Sequence, residues 1–126
     1  MSLILLIDDE PMIRNSATQT LTLAGYEVLS FAEGLPALSY LSVDFNGIVI
    51  SDIRMPHIDG LELMQQMLVI DHDLPVILIS GHADVATAVQ AMREGAYDLL
   101  EKPFAASQLV DVAKRALEKR RLTLEN

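Results

Sequence analysis

The sequence predicts an α/β fold: an open, doubly wound sheet of five parallel strands with five helices. Short apolar runs alternate with amphipathic stretches five times along 126 residues. The runs are continuously apolar, as expected of strands buried on both faces of a parallel sheet. Five strand–helix units with right-handed crossovers favour an open sheet, because a barrel takes eight.

Leu3 to Ile7 forms the first strand and runs into Asp8-Asp9-Glu10. Pro11 suits the first turn of a helix, where its missing N–H costs nothing. Ile13, Ala17, Leu21 and Ala24 then recur at helical spacing, and Gly25 supplies the stop. Tyr26 to Phe31 alternates apolar with polar and predicts a second, more exposed strand. A weaker helix follows over Leu35 to Leu41, then a third strand over Gly47 to Ile50 leading into Ser51-Asp52. Leu61, Met64 and Leu68 mark the third helix, Pro75 to Ile79 the fourth strand, and Val85, Val89 and Met92 a fourth helix ending near Gly95. Tyr97 to Leu100 gives the fifth strand, and the last helix begins by Leu109. Strand order 2-1-3-4-5, the flavodoxin-like order, is expected for this count, with ligands gathering at the carboxyl ends of the strands.

Composition narrows the function. The chain has three Phe, three Tyr, no Trp and no Cys, so its core is aliphatic and neither disulfides nor thiolate metal sites are available. The lack of cysteine fits a reducing cytoplasm, the expected location. No apolar stretch approaches membrane-spanning length, and no basic region with a long apolar run predicts a secretory leader. Met1-Ser2 has no role in the first strand and reads as an added start. A net charge of −9 opposes direct contact with nucleic acid, whose phosphates demand a basic surface.

The predicted strands bring five reactive residues to one edge of the sheet: Asp8, Asp9, Asp52, Ser80 and Lys102. Crowded carboxylates raise one another's pKa or recruit a cation. Oxygen ligands without His or Cys select a hard ion, and Mg²⁺ accepts a few carboxylates together with waters and phosphate oxygens. An Asp beside such an ion is a competent nucleophile toward an activated phosphoryl group. Lys102 would neutralise phosphoryl oxygens, and the Ser80 hydroxyl could donate to one. The chemistry predicted is phosphoryl acceptance.

Four strings together resemble the response regulator receiver family of two-component systems: Ile7-Asp8-Asp9-Glu10; Asp52-Ile53-Arg54-Met55-Pro56 with Asp59-Gly60; Ile79-Ser80-Gly81; and Lys102-Pro103-Phe104. The likeness runs from Leu3 to about Leu122. It implies that Asp52 is the phosphoacceptor and that Asp9, Asp52 and the Arg54 backbone carbonyl hold Mg²⁺, with Asp8 acting through a water. It further implies that Ser80 is the switch hydroxyl, Lys102 the phosphate-sensing lysine, and Lys102-Pro103 a cis peptide. The partner implied is a sensor histidine kinase, and the domain is a phosphoacceptor switch rather than an enzyme.

Blander readings apply to several residues. Glu10 reads as a helix-capping acid, and Asp59-Gly60 as a turn signal. His57, His72 and His82 read as loop residues, although His82 lies near enough to Ser80 to influence water access. In many relatives the position three before the lysine carries Tyr or Phe, whose ring swings inward on activation. Here it is Leu99, and strand alternation expects Tyr97 on the same face, leaving either as the switch position.

At the C-terminus, Val110, Ala113, Leu117, Arg120 and Leu124 follow a heptad-like spacing broken by the arginine. Residues 1–121 are expected to be the receiver, and 122–126 the start of a signalling helix, with Lys119 to Asn126 running beyond what the sheet covers. Ser80-Gly81-His82-Ala83-Asp84, Gly95-Ala96-Tyr97-Asp98 and Glu118-Lys119-Arg120-Arg121 resemble the nitrogen-regulatory and C4-dicarboxylate transport branch of sigma-54 activators. That resemblance implies an attached output module that meets DNA and sigma-54 polymerase. A homodimer through the fourth helix, fifth strand, fifth helix and C-terminal tail is expected. An aspartyl phosphohydrolase would need a second acid/base, commonly an Asp two residues after the nucleophile, where Arg54 stands. A flavin carrier would not place three acids after its first strand, against a flavin phosphate.

Overall fold

The computed structural model describes residues 2–126, so Met1 of the Met1-Ser2 start lies outside it. Strands β1 (Leu3–Ile7), β2 (Glu27–Phe31), β3 (Gly47–Asp52), β4 (Val76–Ser80) and β5 (Asp98–Glu101) form one parallel sheet in the order β2-β1-β3-β4-β5. The α-helices are α1 (Pro11–Leu23), α2 (Gly60–Ile70), α3 (Val85–Glu94) and α4 (Ala106–Glu125). The predicted second helix is a 3-10 helix over Leu35–Tyr40. It is six residues long, with a proline in its first turn, too short to repay the nucleation of an α-helix.

Side-chain alternation divides the core into two layers. Leu5, Ile7, Val49, Val76 and Leu78 point to one face and pack with Leu63, Met64 and Met67 of α2 and Ala88 and Ala91 of α3. Ile4, Leu6, Ile48, Ile50, Ile77 and Ile79 point to the other, against Ala17 and Leu21 of α1 and Leu109, Val112, Ala113 and Ala116 of α4. Each fully buried Leu or Ile contributes roughly 2 kcal/mol. The two layers therefore hold β1, β3 and β4 rigid where their carboxyl ends emerge. Gly25 and Gly95 end α1 and α3 at φ 97° and 119°, a left-handed region that glycine enters without steric cost.

Three expectations are revised. β5 begins at Asp98, so alternation does not reach Tyr97: its ring packs in the α1/α4 layer while Leu99 packs in the α2/α3 layer. The two residues are on opposite faces of the sheet. On α3, Val85, Val89 and Met92 point outward and are 64, 47 and 43% exposed; Ala88 and Ala91 bring the helix close to the sheet instead. The C-terminal tail is not wholly beyond the sheet. Arg120 is 1% exposed, donates from Nε to the Phe45 carbonyl at 2.9 Å, and lies within one unbroken helix ending at Glu125. Among the described residues no helix is long and apolar enough to cross a membrane.

Candidate functional site

Each reactive side chain is placed by the end of a strand. Asp8 follows β1 directly, and its N–H donates to the Phe31 carbonyl of β2 at 3.0 Å. Arg14 reaches back from α1 to the Asp8 carbonyl at 2.7 Å, fixing the β1–α1 turn. Asp52 is the last residue of β3, and Ser80 the last of β4. Lys102 follows β5, and its N–H donates to the Ser80 carbonyl at 2.8 Å. The Lys102-Pro103 peptide is cis, as expected.

The fold brings Asp8, Asp9, Asp52 and Lys102 together. One carboxylate oxygen from each aspartate lies within 4.8 Å of those of the other two. Lys102 Nζ donates to Asp52 Oδ2 at 3.0 Å and lies 3.6 Å from Glu10 Oε1. Glu10 stands at the N-cap of α1 but its side chain makes no capping hydrogen bond; its carboxylate adds instead to the field at Lys102. Ser80 is buried at the next strand end. The Arg54 side chain lines the same cleft and pairs with Asp84, its Nε donating to Asp84 Oδ1 at 2.7 Å.

Burial dominates the electrostatics. It pushes the Asp8 carboxyl up to about 6, opposed by the Glu10 N–H that donates to it and reinforced by the charge of Asp52. Burial also raises Asp52, against the Lys102 hydrogen bond and charge that hold it down. Burial works to lower Lys102, but its bond to Asp52 and the surrounding carboxylates raise it overall. Two buried carboxylates therefore face one ammonium, leaving the pocket with excess negative charge.

The donor set fits a hard divalent cation. Asp8 Oδ2 is buried without a hydrogen-bond partner, an arrangement costly unless a cation or its water shell occupies that side. Together with Asp9 and Asp52 it offers only oxygen, which suits Mg²⁺. A second group, Asp71, His72 and Asp73, does not match this pattern, because Asp71 is already engaged by the Arg120 guanidinium at 2.7 Å. The exposed His57 and His72 are loop residues, as expected, and His82 sits 3.6 Å from Glu101 at the rim of the cleft.

Sequence reasoning missed two features here. Asp59 accepts from the Glu62 N–H at 2.8 Å and caps α2, while the Gly60 N–H donates to the Ile53 carbonyl at 2.7 Å. A β-carbon on Gly60 would lie 2.8 Å from the Ile53 Cα and closer still to the Asp52 carbonyl oxygen. This pair is a tight seat for the end of β3 rather than a turn alone. The second is Asp84, which is 7% exposed and accepts from both Arg54 and the Gly81 N–H. Nothing in its spacing marks it, since its partner is 30 residues away in the chain.

Comparison with known proteins agrees with this geometry. A family model described as the response regulator receiver domain matches residues 4–114. The chain is 57% identical over 123 residues to the C4-dicarboxylate transport transcriptional regulatory protein DctD of Rhizobium meliloti, covering 98% of this chain and 27% of that protein. It is 38% identical over 112 residues to the DNA-binding transcriptional regulator NtrC of Klebsiella pneumoniae, covering 89% of this chain and 24% of that one. It thus spans about a quarter of the length of these relatives. Among solved structures, a receiver domain protein from Clostridium thermocellum superposes with a TM-score of 0.90 at 30% identity, covering 98% of this chain and 99% of that one. NtrX from Brucella abortus superposes with a TM-score of 0.86 at 38% identity, covering 99% of this chain and 29% of that one. With the order β2-β1-β3-β4-β5 and the acidic pocket at its carboxyl edge, the chain belongs to the response regulator receiver domain family of two-component systems.

Proposed function

We propose that Asp52 accepts a phosphoryl group from a partner histidine kinase and that Ser80 and Lys102 read its presence. The observation that carries this reading is the 3.0 Å contact of Lys102 Nζ with Asp52 Oδ2 in a pocket shared with Asp8 and Asp9. A carboxylate oxygen of Asp52 forms the new O–P bond as the bond from phosphorus to the kinase imidazole breaks. Lys102, already charged and aimed at Asp52, passes from the carboxylate to a phosphoryl oxygen. The Ser80 hydroxyl donates to another. Asp9, Asp52 and the Arg54 carbonyl, with Asp8 through water, would hold a Mg²⁺ ion, which neutralises phosphoryl oxygens when bound. Because Lys102 and Ser80 gain contacts only in the phosphorylated form, they shift the equilibrium of the strands that carry them.

The wider reading is a cytoplasmic switch, residues 1–121, leading through a signalling helix from residue 122 into an output module. The likeness to DctD, NtrC and NtrX supports a transcriptional output of the sigma-54 type, with DNA and polymerase met only by that module. The outward Val85, Val89 and Met92 support a homodimer across α3, β5 and α4. Incubation with Mg²⁺ and acetyl phosphate should add one hydroxylamine-labile phosphoryl group, and Asp52→Asn should abolish it. An unchanged yield in that variant rejects Asp52. Multiple turnover on a phosphate ester would favour a hydrolase, which Arg54, two residues after Asp52, does not equip the site to be.

A further inference from the structure

Asp84 has both carboxylate oxygens engaged by donors from different loops. Oδ2 accepts from the Gly81 N–H at 2.9 Å, and Oδ1 from Arg54 Nε at 2.7 Å. A cap for the short turn His82–Asp84 would need only the first bond. The second crosses to the β3–α2 loop and joins the segment after Asp52 to the segment after Ser80. Arg54, Gly81 and Asp84 line one cleft with Asp9, Asp52 and Lys102, the cleft that a group carried on Asp52 must enter. Lys102 and Arg54 are the lysine and arginine of that lining, which also holds His82, and both the Arg54 Nε–H and the Gly81 N–H suit an anion. In the unphosphorylated molecule the Asp84 carboxylate already occupies them.

We propose that Asp84 is a built-in competitor for the phosphoryl group. Its carboxylate holds the Arg54 and Gly81 donors until a phosphoryl group on Asp52 draws them away. Asp84 is then a positioning residue that sets how readily the site takes an anion and ties the β4–α3 loop to that event. A phosphoryl group carries nearly two charges and three acceptor oxygens, and so outbids a single carboxylate for the same donors. When Asp84 is released, its own loop leads directly into α3, whose outward apolar face is free to respond.

The inference rests on Asp52 as the phosphoryl site, and one titration separates the two. Beryllofluoride in excess Mg²⁺ is titrated into wild type, Asp84→Ala, Arg54→Ala and the double variant, followed by amide NMR. Asp84→Ala is expected to bind roughly three- to tenfold more tightly, the scale of one or two competing hydrogen bonds. In the Arg54→Ala background that gain should fall to less than half. A residue that only orders the loop would weaken binding on removal, so unchanged or weaker binding by Asp84→Ala overturns the proposal. Equal gains in both backgrounds overturn it too, because they reduce the effect to bare charge. Should Asp84→Ala not fold, Asp84→Asn keeps the size and one acceptor and should give a smaller gain in the same direction; no gain overturns the proposal. Wild type failing to bind beryllofluoride would remove the Asp52 reading and this one with it.

Discussion

Arg120 Nη1 lies 2.7 Å from Asp71 Oδ2, and both side chains are more than nine-tenths buried, at the edge of the sheet opposite the aspartates. It is a contact of charges whose angle falls short of a hydrogen bond, while Nε of the same guanidinium bonds the Phe45 carbonyl. The outgoing end of α4 is thereby fastened to the loop before β3 and to the turn before β4. Removing one partner of a buried pair strands the other charge, at a cost of about 3–5 kcal/mol. Arg120→Ala should lose stability on that scale in urea unfolding. Arg120→Met combined with Asp71→Leu should recover much of the loss, because an apolar pair leaves no stranded charge.

Asp8 gives the domain a pH dependence of definite sign. Its carboxyl is raised from 3.8 to about 6, so the folded protein binds the proton more tightly than the unfolded chain does. Stability from this group is complete below the unfolded value and is lost as pH rises through the folded one, by at most about 3 kcal/mol. Melts without metal at about pH 5 and about pH 7.5 should show the drop, and Asp8→Asn should flatten it. Asparagine keeps the acceptor for the Glu10 N–H, so the variant should also be the more stable protein at the higher pH. Added Mg²⁺ should restore wild type there and do less for Asp8→Asn.

Gly60 links a helix terminus to the placement of Asp52. An added β-carbon meets backbone atoms of Asp52 and Ile53, which cannot swing aside as a flexible side chain would. Gly60→Ala should cost about 1–3 kcal/mol. It should also slow phosphoryl uptake from acetyl phosphate beyond any loss of folded protein, since the Asp52 backbone must move. A variant of normal stability and normal uptake would show that the seat is looser than this geometry.

Legibility in the sequence divides along physical lines. The continuous apolar runs of β1, β3 and β4 fixed the strands that carry Asp8, Asp52 and Ser80, because burial on both faces leaves a local pattern. Pro11 and Gly25 mark the ends of α1 and Gly95 the end of α3, because their backbone constraints act locally. Tyr97 was misplaced because alternation was extended one residue past the start of β5. The apolar residues that mark α3 in the sequence, Val85, Val89 and Met92, do not show which face is buried, because the sheet packs against the smaller Ala88 and Ala91. Asp84, Arg120 and the seat formed by Gly60 were invisible because each depends on a contact across two loops or two layers, and no local spacing encodes that.

Chemistry and readout should separate at Lys102 and Ser80. Lys102→Ala and Ser80→Ala are expected to accept phosphate, more slowly, yet fail to show the amide shifts that beryllofluoride induces along α3 and β5 in wild type. Lys102→Ala also leaves Asp8 and Asp52 without their shared counter-charge. It should therefore be less stable than wild type without metal and gain more from added Mg²⁺. Full α3 and β5 shifts in both variants would detach these residues from the switch.

The homodimer prediction is sharpest where α3 and α4 can be tested apart. Val85, Val89 and Met92 form an outward apolar stripe with spacings of four and three, the neighbour positions of a helix face. Val89→Lys puts a charge in the middle of that stripe at an exposed position, so its melting should stay near wild type and its self-association should fall. Shortening the tail requires more care. Ending the chain after Leu117 removes Arg120 and strands Asp71, so the domain would lose stability together with any dimer contact. Ending it after Arg121 keeps the Arg120 anchor and removes only Leu122 to Asn126. In sedimentation with and without beryllofluoride, that shorter chain should fold like wild type and lose affinity in one of two dimer arrangements. Wild type remaining monomeric at high concentration in both conditions would reject the dimer. Unchanged association of the Val89→Lys protein would move the interface away from α3.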